Sequence, residues 1–246
     1  MRRVLVVLGV CGVVCGASMR SVGAAAKGKA AVKAPAATRP AKTKLPKGFK
    51  WLFDGKTLTG WKGRPTLWKV KDGVIVGETV ATAKLKHNDF LYTEKEYGDF
   101  ELRLSYLLRN HNSGVQVRSV VHKDYRVTGY QADMAEKRYT GILYEEGGRG
   151  ILADVDPKKI AKHVKKGKWN DYRIVCRGKV LQFWINGQPT IKYTEKKPDA
   201  RTKGVIAFQL HGGPPMQVQF KDIMIKELPK PAAKPPVKAA AKAAAK

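Results

Sequence analysis

Four short segments place polar side chains at alternate positions, and these positions are where chemistry would lie. In 112–119, NSGVQVRS, Gln116 and Arg118 alternate with Val115 and Val117. In 129–134, GYQADM, Gln131 and Asp133 alternate with Tyr130, Ala132 and Met134. Near the end, Gln209 and His211 alternate with Phe208 and Leu210, and in LQFWIN Gln182, Trp184 and Asn186 oppose Leu181, Phe183 and Ile185. A period of two is the mark of a strand and puts each polar set on one face. If these strands share a curved sheet, Gln116, Arg118, Gln131, Asp133, Trp184, Gln209 and His211 gather on one surface. Amides and a carboxylate match sugar hydroxyls, and an indole covers the apolar side of a pyranose ring. Any half-exposed strand alternates as well. Alternation therefore leaves open a core or edge role for Trp184 and a cross-strand pair between Arg118 and Asp133.

Two histidines, His111 and His211, border glycine-containing turns beside strands, whereas His87, His122 and His163 lie among lysines. Glu145-Glu146 precedes a glycine pair in GILYEEGGRG. A carboxylate there would be catalytic, cation-holding or simply solvated. Asp133 and Glu145 would hold Ca²⁺ or another divalent cation if they converge, but no loop spacing specifies one and no residue is assigned as a metal ligand. The chain has no P-loop, HExxH, GxSxG or zinc-type cysteine pattern. Cys176 shares parity with Tyr172 and Ile174, so a buried core thiol is expected rather than a nucleophile.

These residues need a sheet to hold them, and the remaining signals supply one. Asp72-Gly73 and Asn186-Gly187, each between apolar runs, are hairpin turns. FELRLSYLL alternates over 100–108. In the closing segment Val218 and Phe220 take one face, then Ile223 and Ile225 carry it after Asp222, which predicts a bulge. Only 156–167, DPKKIAKHVKKG, has a helical look, with Asp156 as N-cap and Pro157 at the first position. Many strands without intervening helices argue for an all-β antiparallel sandwich or jelly roll.

Composition divides the 246 residues. Residues 1–26 read as a secretory signal peptide: Arg2 and Arg3, the run VLVVLGVCGVVCGA, then Ala24 and Ala26 as a small-residue cleavage site. That predicts a secreted or periplasmic protein. Residues 27–48 and 230–246 are rich in Lys, Ala and Pro and predict a disordered basic linker and tail. All 20 acids and 33 of the 48 bases fall within residues 49–229, so this body is net +13 and the flanks carry only positive charge. Such tails are usually solvated; they also suit a polyanionic cell-surface contact. No nucleic-acid motif or set of base-stacking aromatics occurs, so no specific nucleic-acid partner is predicted.

Read in order, GFKWLFDGKTLTGWKG, WKVKDGVIVG, FLYTEKEYGDFELRLSY, NSGVQVRS, GYQADM, GILYEE, KWNDYRIVCRG, FWINGQP and GVIAFQLHGGPPMQVQFKDIMIKEL resemble the 3-keto-disaccharide hydrolase domain, a family once catalogued only as a domain of unknown function. The resemblance spans 49–228. It implies a concanavalin A-like jelly roll and a hydrolase acting on glycosides already oxidised at C3. It also implies a base for the C2 proton (His211 or Asp133), a group for the enolate oxygen (Arg118), and a donor to the leaving oxygen (Glu145). Gln131, Gln209 and Asn112 would hold hydroxyls, with Gln116 and Trp184 completing the carbohydrate contacts. A non-catalytic carbohydrate-binding module of the same fold is the alternative. The segment AEKRYTG after GYQADM is unusually basic for the family, which leaves substrate choice open.

Overall fold

The computed structural model describes residues 45–82 and 85–229. The expected signal peptide, nearly all of the linker and the C-terminal tail lie outside them. The strands in chain order are β1 Lys50–Trp51, β2 Trp61–Lys62, β3 Trp68–Lys71, β4 Val74–Glu78, β5 Asp89–Thr93, β6 Phe100–Leu108, β7 Asn112–Val121 and β8 Val127–Ala135. There follow β9 Leu143–Glu146, β10 Gly150–Ala153, the helix α1 Pro157–Ala161, β11 Asn170–Arg177, β12 Val180–Ile185, β13 Gln188–Thr194, β14 Val205–Leu210 and β15 Gln217–Glu227. They form two antiparallel sheets. The first, with 8 strands, runs β13-β12-β11-β6-β15-β4-β3, with β1 added alongside β15. The second, with 7, runs β10-β9-β8-β7-β14-β5-β2. The all-β sandwich read from the sequence is the observed architecture.

The alternation explains the packing. Phe100, Leu102, Leu104 and Tyr106 of the first sheet meet Val115, Val117, Tyr130, Met134 and Phe208 of the second in one buried core. Phe208 stacks on Phe220 at 4.0 Å and on Trp61 at 5.0 Å between ring centroids. Cys176 is wholly buried there, and burial pushes its thiol up to about 12. The two hairpin turns adopt the left-handed backbone their sequences demand: Asp72 and Gly73 have φ of 50° and 79°, Asn186 and Gly187 49° and 81°. This is the twist-compatible turn for a two-residue hairpin. The bulge in β15 falls where the pattern shifts, with Asp222 at φ 52° and the register broken between Lys221 and Met224.

The helix is shorter than the sequence pattern. Asp156 caps it by accepting the Lys158 amide at 2.8 Å, but regular helix ends at Ala161. Ile160 is its only fully buried side chain. The lysine-rich stretch that follows offers little apolar surface and turns instead, placing the Lys165 amide on Asn170 Oδ1 at 2.8 Å.

Candidate functional site

The outer face of the second sheet collects the polar residues. Pairing sets Gly114 opposite Asp133 and Gln116 opposite Gln131, while Ala207 faces Gln116 and Phe208 faces Val115. Continuing that register one step brings Gln209 beside Gly114. One row across the sheet is therefore Asp133–Gly114–Gln209, and the adjacent row is Gln131–Gln116–Ala207. One repeat further along lie Asn112 and His211. At ordinary sheet spacings Asp133 and His211 are about 12 Å apart between Cα atoms.

The amides on this face are buried and form a chain. Ser119 Oγ donates to Gln116 Oε1 at 2.6 Å, Gln116 Nε2 to Gln131 Oε1 at 2.8 Å, and Gln131 Nε2 to Asp133 Oδ1 at 2.5 Å. Gly114 makes the chain possible, because a Cβ there would stand 2.5 Å from Gln131 Cδ. Burial pushes the Asp133 carboxyl up to about 8; the Gln131 bond opposes this and the charge of Glu146 adds to it. Asp133 therefore holds a proton at neutral pH. Desolvation wins because a single amide donor replaces only part of the hydration an ionised carboxylate loses.

Two histidines close one end. His111, before β7, and His211, after β14, have ring centroids 4.8 Å apart. His211 Nδ1 lies 2.6 Å from the Gly212 carbonyl, which can only accept, so Nδ1 carries the proton. In the neutral ring Nε2 then holds the free lone pair. Burial, with the neighbouring His211, lowers the pKa of His111 and keeps it neutral. His111 Nδ1 and Gln209 Oε1 are both buried and carry no hydrogen-bond partner. Buried polar groups are rarely left so.

Three sequence expectations change. Trp184 alternates as read, but β12 belongs to the first sheet, so the indole lies on the opposite side of the sandwich, where it stacks against Arg173 at 4.2 Å. Arg118 leaves the face because β7 bulges between Val117 and Val120, and Arg118 itself sits at φ 51°. Its buried guanidinium donates to Gly98 O at 3.0 Å, Gly178 O at 2.6 Å and Asp99 Oδ1 at 2.7 Å, and pairs with Asp99 rather than Asp133. It ties strand ends together and, almost fully buried, does not reach the polar face. Glu145 pairs by register with inward-facing Tyr130 and is engaged by Arg149, which also grips Glu195. Arg149 holds Glu145 below the usual carboxylate range. Glu145 is thus a poor proton donor, and it does not converge with Asp133 on a cation. Among the described residues no cluster of three or more metal-ligating side chains occurs.

The carboxylate that does reach the face is the next residue. Glu146 shares parity with Tyr144, the register partner of Gln131. It accepts from Asn88 Nδ2 at 2.8 Å and from Gln209 Nε2 at 3.2 Å. Asn88 in turn accepts the Gly212 amide at 2.8 Å beside His211. Bonds that span from β9 to β14 and to Asn88, just before β5, show how strongly this face is curved. Adjacent glutamates point to opposite faces of a strand, and no local signal says which is inward.

Residues 48–226 match the family model described as the 3-keto-alpha-glucoside-1,2-lyase-like domain. The chain belongs to this family. Two solved structures from Parabacteroides distasonis, each provisionally named a glycosyl hydrolase, are similar to this member. One is 25% identical with a TM-score of 0.56, covering 74% of this chain and 94% of the other. The second is 26% identical with a TM-score of 0.54, covering 73% and 99%. The carbohydrate-binding module CBM66 from Bacillus subtilis shares the fold, at 12% identity and a TM-score of 0.53, covering 72% and 100%. No curated protein matches the chain. The 3-keto-alpha-glucoside-1,2-lyase-like domain is thus a glycoside hydrolase-like or carbohydrate-binding β-sandwich.

Proposed function

We propose that this protein cleaves glycosides bearing a ketone at C3, by elimination followed by hydration. The observation that carries the reading is a deeply buried carboxyl, whose pKa burial raises, and an imidazole held through Nδ1 by a carbonyl, on one amide-lined face. A C3 ketone acidifies the C2 hydrogen. His211 Nε2 takes that proton, and the C–H electron pair forms the C2–C3 double bond of an enolate. The enolate collapses to the ketone, forms the C1–C2 double bond and expels the C1 oxygen, which takes the Asp133 proton. In this scheme Gln209 Oε1 accepts a sugar hydroxyl, and the second N–H of the Gln131 or Gln209 amide, beyond the one each gives to a carboxylate, donates to the enolate oxygen. Water then adds across C1 and C2 and returns the 3-keto sugar. Two opposed glycosidase carboxylates are not needed, because no oxocarbenium ion forms. Arg2, Arg3 and the apolar run after them support export, which would place this chemistry outside the cytoplasm.

The test is incubation of the full chain with a panel of 3-keto-disaccharides and their unoxidised counterparts. Release of the 3-keto monosaccharide from oxidised substrates alone, lost in His211→Asn and in Asp133→Asn, is the expected result. Full activity in His211→Asn would remove it as base. Saturable binding without turnover would move the protein to the binding-module class.

A further inference from the structure

We infer that the outer face of the first sheet, on the opposite side of the sandwich from Asp133, is a second saccharide site that takes an uncharged oligosaccharide lying across the strands. Register places five outward side chains in one row: Trp51 opposite Met224, Met224 opposite Arg103, Arg103 opposite Arg173, and Arg173 opposite Trp184. Five adjacent strands span about 19 Å from the first to the last. The row is aromatic and cationic in character. Arg173 stacks on the Trp184 ring at 4.2 Å and Arg103 on the Phe49 ring at 4.8 Å. Planar guanidinium laid on a ring keeps its N–H edges pointing outward.

Two cross-strand arginines would repel, and Glu101 resolves this. Its Oε1 accepts Nε of Arg103 at 2.7 Å and Nε of Arg173 at 2.6 Å. Only the Nε groups are used in these bonds; both arginines line the cleft, and both side chains are about two-fifths exposed. In the adjacent row the exposed Asp171 accepts from Ser105 Oγ at 2.8 Å. The bulge at Asp222 interrupts the β6–β15 pairing beside this row. A cleft of ≈ 610 Å³ results, within the usual range for small-molecule sites.

Charge selects the ligand. The two guanidiniums are balanced by Glu101 and Asp171, and Lys221 lies 3.8 Å from Asp222. With these charges paired off, N–H donors, carboxylate acceptors and the Trp184 indole in one line suit a polyhydroxyl chain better than a polyanion. This site is independent of the chemistry at Asp133 and would hold polymer while the other face works.

The full chain should be titrated calorimetrically with cello-, xylo-, manno- and malto-hexaose, with polygalacturonate and duplex DNA as charged comparisons, at low and high salt. At least one uncharged hexaose should bind with little salt dependence. Trp184→Ala should weaken it about tenfold or more, and so should Arg173→Lys, which keeps the charge but loses the flat plate and fork. Trp184→Phe should retain most of the binding and reports on folding, and His211→Asn should leave it unchanged. The inference fails if no uncharged hexaose binds, if these variants bind like the parent, or if binding is confined to the polyanions and collapses with salt.

Discussion

Replacing Asp133 with asparagine should make the protein more stable, and more so as the pH rises. The Asp133 carboxyl titrates near 8 in the fold, against an ordinary value of 3.8. Between those values the native state keeps a proton that the unfolded chain releases. Stability of the parent is therefore lost as pH rises from about 4 to about 8 and is flat beyond. At about 1.4 kcal/mol per pH unit, the ceiling is about 6 kcal/mol. Water entry and side-chain relaxation reduce it, so a gain of at least about 2 kcal/mol at pH 9 is the expected figure. Asparagine keeps the acceptor for Gln131 and carries no charge, so it removes the titration without opening a cavity. For a domain of this size the change is a rise of roughly 4–8 °C in Tm. The assay is urea unfolding of parent and Asp133→Asn at pH 4, 6, 7.5 and 9. The two should coincide near pH 4 and diverge steadily above it. Parallel curves across the range would refute the argument, because Asp133 would then be ionised in the fold at no cost. The same variant should lose turnover, a gain of stability set against function that is common where a site holds an unfavourably buried group.

Three further outcomes follow from the same geometry. Gly114→Ala should push Gln131 off its place, break the Gln116–Gln131–Asp133 chain and cost about 1–3 kcal/mol, measured by chemical denaturation, with activity falling in parallel. Arg118→Met should cost about 3–5 kcal/mol by leaving Asp99, then held by the Gly178 amide, without its cation and two carbonyls without their donor; a change under 1 kcal/mol in the same assay would show that its contacts are dispensable. Glu146→Gln should change the rate or its pH profile with little loss of stability. Glu145→Gln should do the reverse, and exchanged phenotypes in steady-state kinetics and melting would overturn the assignment of their faces.

Much of the fold was legible in the residues themselves. Period-two alternation marked the strands, Asp72-Gly73 and Asn186-Gly187 marked hairpins because their turn geometry needs left-handed backbone, and the parity change after Asp222 marked the bulge in β15. All three signals are local. Gln116, Gln131, Asp133, Gln209 and His211 were picked by parity, and the tertiary structure brings them to one face. What parity cannot carry is which sheet a strand joins. Trp184 alternates as faithfully as Gln131, yet β12 pairs with β11 and β13 on the far side of the sandwich.

Nor does parity survive an irregularity it does not announce. Arg118 follows Gln116 by two residues and would share its face, but the bulge in β7 turns it into the interior to meet Asp99. Glu145 and Glu146 differ only in register, and the β8–β9 pairing decided that Glu146 is the one beside Asn88 and Gln209. Burial was the other missing quantity. The raised pKa of Asp133 and the fixed tautomer of His211 come from desolvation and from the Gly212 carbonyl. The sequence by itself determined the strands, the turns and the residue types available for sugar chemistry, because those depend on neighbours along the chain. Only the tertiary structure decided which of them share a surface and in which protonation state, because pairing and burial depend on residues far apart in sequence.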